Sequence, residues 1–302
     1  MPRKLRLNSL VADKFAVERL LNESVEFGDF IGELQYQDRL SELNNEIAAL
    51  KEQVITNASV ALFFGGKPVL GSHGISASFA GNALDKFQEL INKTFANKES
   101  GTLGERGKVP LKSNSNLMVT QVVKGSFGFV LDEVTDQVEM AETALKHTVD
   151  EVLEIINISA QSDEGQFEKL IDDLDKRVLQ SLKEFFLVLD KADSTIRIVG
   201  DEKEYSFDST LIHRARKRVE STEISEKDEA ITVILTGFLP ENCKFEAKTL
   251  DGNFIYGSVS KEAAKQYKRE YFGSEIELLI QRKTIKPLRR PEREIIKLKE
   301  FK

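Results

Sequence analysis

Residues 231–259 read ITVILTGFLPENCKFEAKTLDGNFIYGSV. ITVILTGFLP, CKFEAKTL and FIYGSV are short runs rich in β-branched and aromatic residues, the composition of strands. Asp251-Gly252 separates the last two, and Asp-Gly between such runs marks a hairpin because glycine reaches positive φ without strain. A short helix, KEAAKQYKREYF, follows, and then SEIELLIQRKTI and EREIIKLKEF add two more strands. Five short strands in about 70 residues predict a small SH3-like or OB-like β-barrel over 228–302. Such barrels host many activities, so the pattern argues fold and not function. The polar stretch STEISEKDE, 221–229, is the best boundary on its N-terminal side.

The rest of the chain reads as an α+β assembly. Apolar residues in 1–35 follow no single period; the reading is a short helix over 11–22 and a loop around Gly28 and Gly32. In QYQDRLSELNNEIAALKEQVI, Tyr36, Leu40, Leu43, Ile47, Leu50 and Val54 are spaced 4, 3, 4, 3, 4, an a/d seam. Residues 1–57 are therefore read as a coiled-coil-like segment for self-association through Leu40, Leu43, Ile47, Leu50 and Val54. An ordinary amphipathic helix packed on its own chain would show the same spacing.

Residues 58–134 read as a β-β-α-β-β module. ASVALFF is a buried strand, Gly65-Gly66-Lys67 its hairpin turn, and Pro68-Val69-Leu70 the return. A helix begins near Phe79, with Ser76 or Ser78 as cap. The polar stretch 96–115 is a long loop, and runs at 117–123 and 127–134 pair about Lys124-Gly125. Residues 135–220 carry two long amphipathic helices, Val134 to Ile156 and Phe167 to Leu189, expected to form an αα-hairpin. A small hairpin about Gly200-Asp201 and a basic helix, STLIHRARKRV, complete that region.

The chain has 302 residues, net charge −7 and one cysteine, Cys243. An intramolecular disulfide is excluded, and three histidines with one cysteine cannot make a Cys/His zinc site unaided. No metal and no cofactor are expected. No run approaches the ~18 apolar residues of a membrane span, and MPRKLRLNSLVADKF lacks the apolar core of a secretory signal. The expectation is a cytoplasmic protein that does not enter membranes. The charge is uneven: residues 261–302 hold 13 Lys and Arg against 7 Asp and Glu, whereas 1–260 hold 30 against 43.

FFGGKPVLGSHGIS, 63–76, offers Gly71, Ser72, His73 and Gly74, with Lys67, as an anion-binding candidate: backbone amides before a helix N-terminus attract phosphate. The stretch matches no nucleotide-binding glycine motif, and a turn explains its glycines as well. A triad of His73, Ser126 and Asp132 lacks a nucleophile elbow, so no catalytic residue is assigned. Nothing beside Cys243 would activate its thiol. HRARKRV suits phosphates or the chain's own acidic helices. RKTIKPLRRPER is the densest basic run, and Arg282, Lys283, Lys286, Arg289 and Arg290, with Tyr256, Tyr267, Tyr271 and Phe272, form the nucleic-acid candidate.

The reading that follows is a non-enzymatic, self-associating scaffold or sensor subunit of a larger cytoplasmic assembly, with a homo-oligomer and a protein partner expected. One alternative is a nucleic-acid-binding accessory subunit using the basic barrel, in a bacterial defence or repair setting that no residue specifies. A second is an enzyme whose site forms across an oligomer interface near His73 and Ser126.

Overall fold

The computed structural model describes residues 1–302 apart from 102, 105, 124–126, 136–140 and 287–290. It is a mixed α+β chain that ends in a closed five-stranded β-barrel, as the sequence leads one to expect. Two compact units are present: Met1–Glu164 with Arg177–Lys217, and Gly165–Lys176 with Arg218–Lys302.

The first unit opens on two helices, α1 (Arg3–Phe27) and α2 (Phe30–Glu52), folded back on each other at Gly28. Gly28 closes α1 at φ 69°, the left-handed conformation that glycine adopts without penalty. The Asp29 side chain caps α2 by accepting from the Gly32 amide at 3.0 Å. The sequence reading of a short helix over 11–22 and a loop at Gly32 is corrected. The reason is legible in the burial: Leu10, Val17 and Leu21 are half-buried while Val11, Phe15 and Val25 are exposed, so apolar residues ring α1 and blur its period.

Strand β1 (Ser59–Gly66) is the centre of the unit, and a ribbon of two-residue strands, β2 (Val69–Leu70) and β3 (Gly74–Ile75), leads from it into α3 (Ala77–Ser100). Among the described residues β2 pairs only with β3, so Gly65-Gly66-Lys67 is not a hairpin turn. Gly66 takes φ 81° where β1 meets the Asp193 carbonyl, and a Cβ there would lie 2.5 Å from that oxygen. After α3 come β4 (Met118–Val123), β5 (Phe127–Asp132) and α4 (Ala144–Ala160). Lys124-Gly125, the expected hairpin tip, lies outside the described residues. α5 (Glu164–Asp173) and α6 (Lys176–Lys191) replace the single second helix that the sequence reading predicts. β6 (Ser194–Val199) and β7 (Glu204–Phe207) then join the antiparallel sheet, whose order is β4-β5-β1-β6-β7. Phe64 of β1 meets Phe79 of α3 edge-on at 5.4 Å and Phe87 of α3 meets Phe185 of α6 at 5.8 Å, so helices cover this face of the sheet. Ala61, Phe63, Val130 and Val199 form a second small cluster with Leu5 of α1. α7 (Ser209–Glu220) starts at Asp208, which accepts from the Leu211 amide at 2.8 Å.

The barrel comprises β8 (Glu223–Leu239), β9 (Lys244–Thr249), β10 (Phe254–Val259), the short helix α8 (Lys261–Gln266), β11 (Glu275–Lys286) and β12 (Arg293–Phe301). The polar stretch 221–229, read as a boundary, is largely strand: residues 223–229 belong to β8 and pair with β11. The strands close in the order β10-β12-β11-β8-β9, and β10 with β12 is the parallel pair. Its interior holds Val233, Leu235, Phe245, Ala247, Val259, Leu278, Ile280, Ile296 and Leu298, with Ala263 of α8 against them. At the parallel seam Gly257 packs so closely that a Cβ would overlap the Ile296 carbonyl. Gly257→Ala is therefore expected to open this seam and lower the barrel's stability by about 1–3 kcal/mol or more, the cost of overpacking. Urea unfolding followed by circular dichroism checks it; an unchanged midpoint would contradict the close approach.

Candidate nucleic-acid interface

Alternation along β9 and β10 sends one set of side chains into the barrel and the next into solvent. Phe245, Ala247 and Val259 are inside; Lys244, Glu246, Lys248, Phe254, Tyr256 and Ser258 are outside. The register arranges the outer set in rungs. Lys248 lies between Phe254 and Ile234, Glu246 between Tyr256 and Gly237, and Lys244 between Ser258 and Leu239. Ser258 in turn faces Lys297 across the parallel seam. Tyr256 is 76% exposed and Phe254 58%, an unusual degree of solvation for large aromatics on a strand. The Lys248 ammonium sits 5.8 Å from the Phe254 ring centre, a cation–π distance.

Beyond this cation–π contact, acids leave the lysines of this face unpaired. Among the described residues no ion pair involves Lys244, Lys248 or Lys297. The one acid among them, Glu246, accepts from the Thr236 hydroxyl at 3.1 Å. Two open aromatic planes flanked by three lysines can stack bases and neutralise phosphates at once.

The residues singled out from the basic run are placed differently. Arg282 donates to Glu229 at 2.8 Å and to Glu294 at 2.6 Å, and the Glu229 carboxylate, outweighing burial, holds its guanidinium still more firmly protonated. Lys283 faces away from the barrel interior and is buried against the end of α5: its ammonium donates to the carbonyls of Ile171, Asp172 and Leu174 at 2.9, 2.6 and 2.7 Å. Burial pushes its pKa down, against the pull of Glu226 and nearby aspartates. Lys286 pairs with Glu292 at 3.2 Å. Arg289 and Arg290 lie outside the described residues. Of the aromatics named with them, Tyr267 stacks on Phe238 at 4.0 Å and Tyr271 on Phe301 at 5.2 Å; both are packing residues. Tyr256 and Phe272 stay exposed.

The other candidates separate. Gly71, Ser72 and His73 form the exposed tip of the β2–β3 ribbon, where the His73 amide donates to Leu70 at 2.9 Å. The amides at the start of α3 are Ser76's concern instead: its hydroxyl accepts from Phe79. Lys67 is tied to Asp193 at 2.7 Å. Asp132 accepts from Ser59 and Thr120 and pairs with the Met1 amine. Burial alone would raise its carboxyl; these bonds outweigh it and hold the group below the usual range. Ser126 lies outside the described residues. Cys243 sits half-buried at the barrel's β8–β9 corner, its thiol 3.6 Å from the Pro240 carbonyl. Arg216 of the basic helix binds Asp190 at 2.7 Å, as does His213 at 3.0 Å. Among the described residues no group of three His, Cys, Asp or Glu converges as a metal site would, and no helix is long and apolar enough to cross a membrane.

No family model, no curated protein and no solved structure matches this chain. The geometry of the barrel face therefore carries the functional argument alone.

The lysines and aromatics of this face, apart from Tyr256, escaped the sequence reading, which looked for the densest run of charge. The signal that finds them is the alternation itself: once KFEAK and FIYGS are strands of a closed barrel, every second residue must face solvent.

Proposed function

We propose that the chain is a non-catalytic subunit that binds single-stranded nucleic acid through the β9–β10 face of its barrel. The observation that carries this reading is the solvated lysine–aromatic surface of Lys244, Lys248, Phe254, Tyr256 and Lys297. Two facts support it. The strand order, with the third and fifth strands parallel and a helix between the third and fourth, fits a barrel of the OB type. In OB barrels the face of the second and third strands takes oligonucleotides or oligosaccharides, and those strands here are β9 and β10. Sequence-tolerant stacking with lysine contacts to phosphate is the mode these side chains suit. The acidic remainder of the chain repels a polyanion and so favours contact at the barrel.

The test is fluorescence anisotropy with short labelled oligo-dT, oligo-U and a duplex, titrated between 50 and 200 mM salt. Three lysines on three phosphates predict a slope of log affinity on log salt of about −2 for a single strand. Lys244→Gln, Lys248→Gln and Lys297→Gln together should flatten it towards zero. Equal or better binding of the duplex, or a slope that the triple variant leaves unchanged, would refute the reading.

The scaffold reading keeps one specific observation in its favour, the exposed apolar surface of the α1–α2 hairpin.

A further inference from the structure

The a/d seam of α2 is already used inside the chain. Leu43 is fully buried, and Ile47 and Leu50 nearly so, against α1 of the same hairpin, while Val54 is 74% exposed. Changing Leu43, Ile47 and Leu50 to polar residues would thus unfold the hairpin rather than dissociate an oligomer. A different surface is left over. Val11 and Phe15 of α1 join Ile47 and Ala48 of α2 around an open groove of about 440 Å³. Val25 follows Val11 by 14 residues, close to four turns, and Phe30 precedes Ala48 by 18, five turns. Val25 and Phe30 therefore lie on the groove side of the hairpin, at its tip. Phe15 is 67% and Phe30 82% exposed.

The two ends of this face differ in charge. At the groove end Lys14 and Lys51 outnumber the one acid of the lining, Glu18; the tip end carries Glu26 and Glu33 and no basic residue between Asn22 and Gln37. Lys14 meets its own chain's Glu18 only at 3.8 Å. An apolar, basic groove and an apolar, acidic tip on one element complement each other when a second copy lies antiparallel. We infer that two copies of this chain pair about a twofold axis across the hairpins, the tip Phe30 and Val25 of each copy entering the groove beside the other's Phe15.

The area suffices. Exposed Val11, Phe15, Val25 and Phe30 offer roughly 450 Å² of apolar surface per chain, counting ~200 Å² for a whole aromatic side chain. With the polar share usual at interfaces this grows to about 700 Å² per chain, or about 1,400 Å² in all, inside the ~1,200–2,000 Å² of stable complexes. Burial of charge at the rim adds register more than affinity.

Light scattering on the eluting full-length chain tests this. Wild type should have twice the mass of one 34.1 kDa chain. Phe15→Glu with Phe30→Glu should halve it; both side chains are solvated in the single chain, so circular dichroism should not change. Lys14→Glu with Lys51→Glu should also give monomer, and so should Glu26→Lys with Glu33→Lys. All four charge reversals in one chain should restore the dimer, which a merely unfolded hairpin would not do. A wild-type monomer at about 100 µM, above the micromolar weak end for interfaces of this size, overturns the inference. So does a dimer that these variants leave intact, or four reversals that fail to restore it.

Discussion

Phe254→Ala with Tyr256→Ala is expected to weaken single-strand binding roughly 30- to 1,000-fold, from ~1–2 kcal/mol for each lost stacking partner. The same double variant should unfold at nearly the wild-type urea midpoint, because both rings stand largely in solvent. Stability and affinity therefore separate cleanly at these positions. They do not separate at Phe238 or Tyr267, whose rings stack at 4.0 Å in the barrel's packing; truncation there should lower stability first. The salt axis separates chemistry further. Losing the aromatics lowers affinity by the same factor at every salt concentration, whereas losing the three lysines lowers the slope. A double variant that binds as wild type does would remove the β9–β10 face from the proposal, whatever the lysine variant does.

The arrangement of the rungs explains why these groups can act together. Tyr256 and Phe254 are two residues apart on one strand face, about 7 Å at the rise of a strand, so consecutive bases of an extended strand could each find a ring. Lys248 and Lys244 flank them on β9, and Lys297 continues the line across the seam beside Ser258. Closure of the barrel is what makes that line continuous. Gly257, by admitting the Ile296 carbonyl, lets β10 reach β12 and so brings Lys297 to the same face. Fold and site depend on the same small residue.

Local chemistry was readable in the sequence and long-range partnership was not. The five barrel strands, the Asp251-Gly252 turn and the Ser76 cap each rest on neighbouring residues, and all are present. Gly65-Gly66-Lys67 misled because the partner that shapes it, Asp193, is more than a hundred residues away. Arg282 and Lys283 of the basic run are engaged for the same reason: Glu229 and the carbonyls of 171, 172 and 174, which lie more than fifty residues away, take them up, and no local pattern announces those partners. The break between α5 and α6 is a third instance. Apolar spacing continues from Phe167 to Leu189, yet the helix stops where a lysine from the barrel takes its carbonyls.

That lysine is the second large expectation. Lys283→Met should destabilise the C-terminal unit by about 3 kcal/mol, the cost of leaving three carbonyls unpaired less the solvation recovered. Two effects oppose. Burying the ammonium costs solvation, which is why its pKa falls, and methionine would recover that cost. Against this, three carbonyls at 2.6–2.9 Å would lose their donor in a dry place, and each unpaired group costs about 1–3 kcal/mol. The cation also meets the negative end of α5 and the field of Glu226, Asp172, Asp173 and Asp175. Three lost bonds outweigh one recovered solvation. Hydrogen exchange should show the amides of 170–176 losing protection before the barrel strands do. Arg293, paired with Asp172 at 3.0 Å and with Glu168 at 3.7 Å, remains to hold α5, so docking should weaken without the barrel unfolding. An unfolding free energy within 0.5 kcal/mol of wild type would show that the three bonds only balance the solvation cost. At a temperature where the variant is folded, its oligonucleotide affinity should equal that of wild type. A large loss of binding there would instead return Lys283 to the nucleic-acid surface and count against the β9–β10 face.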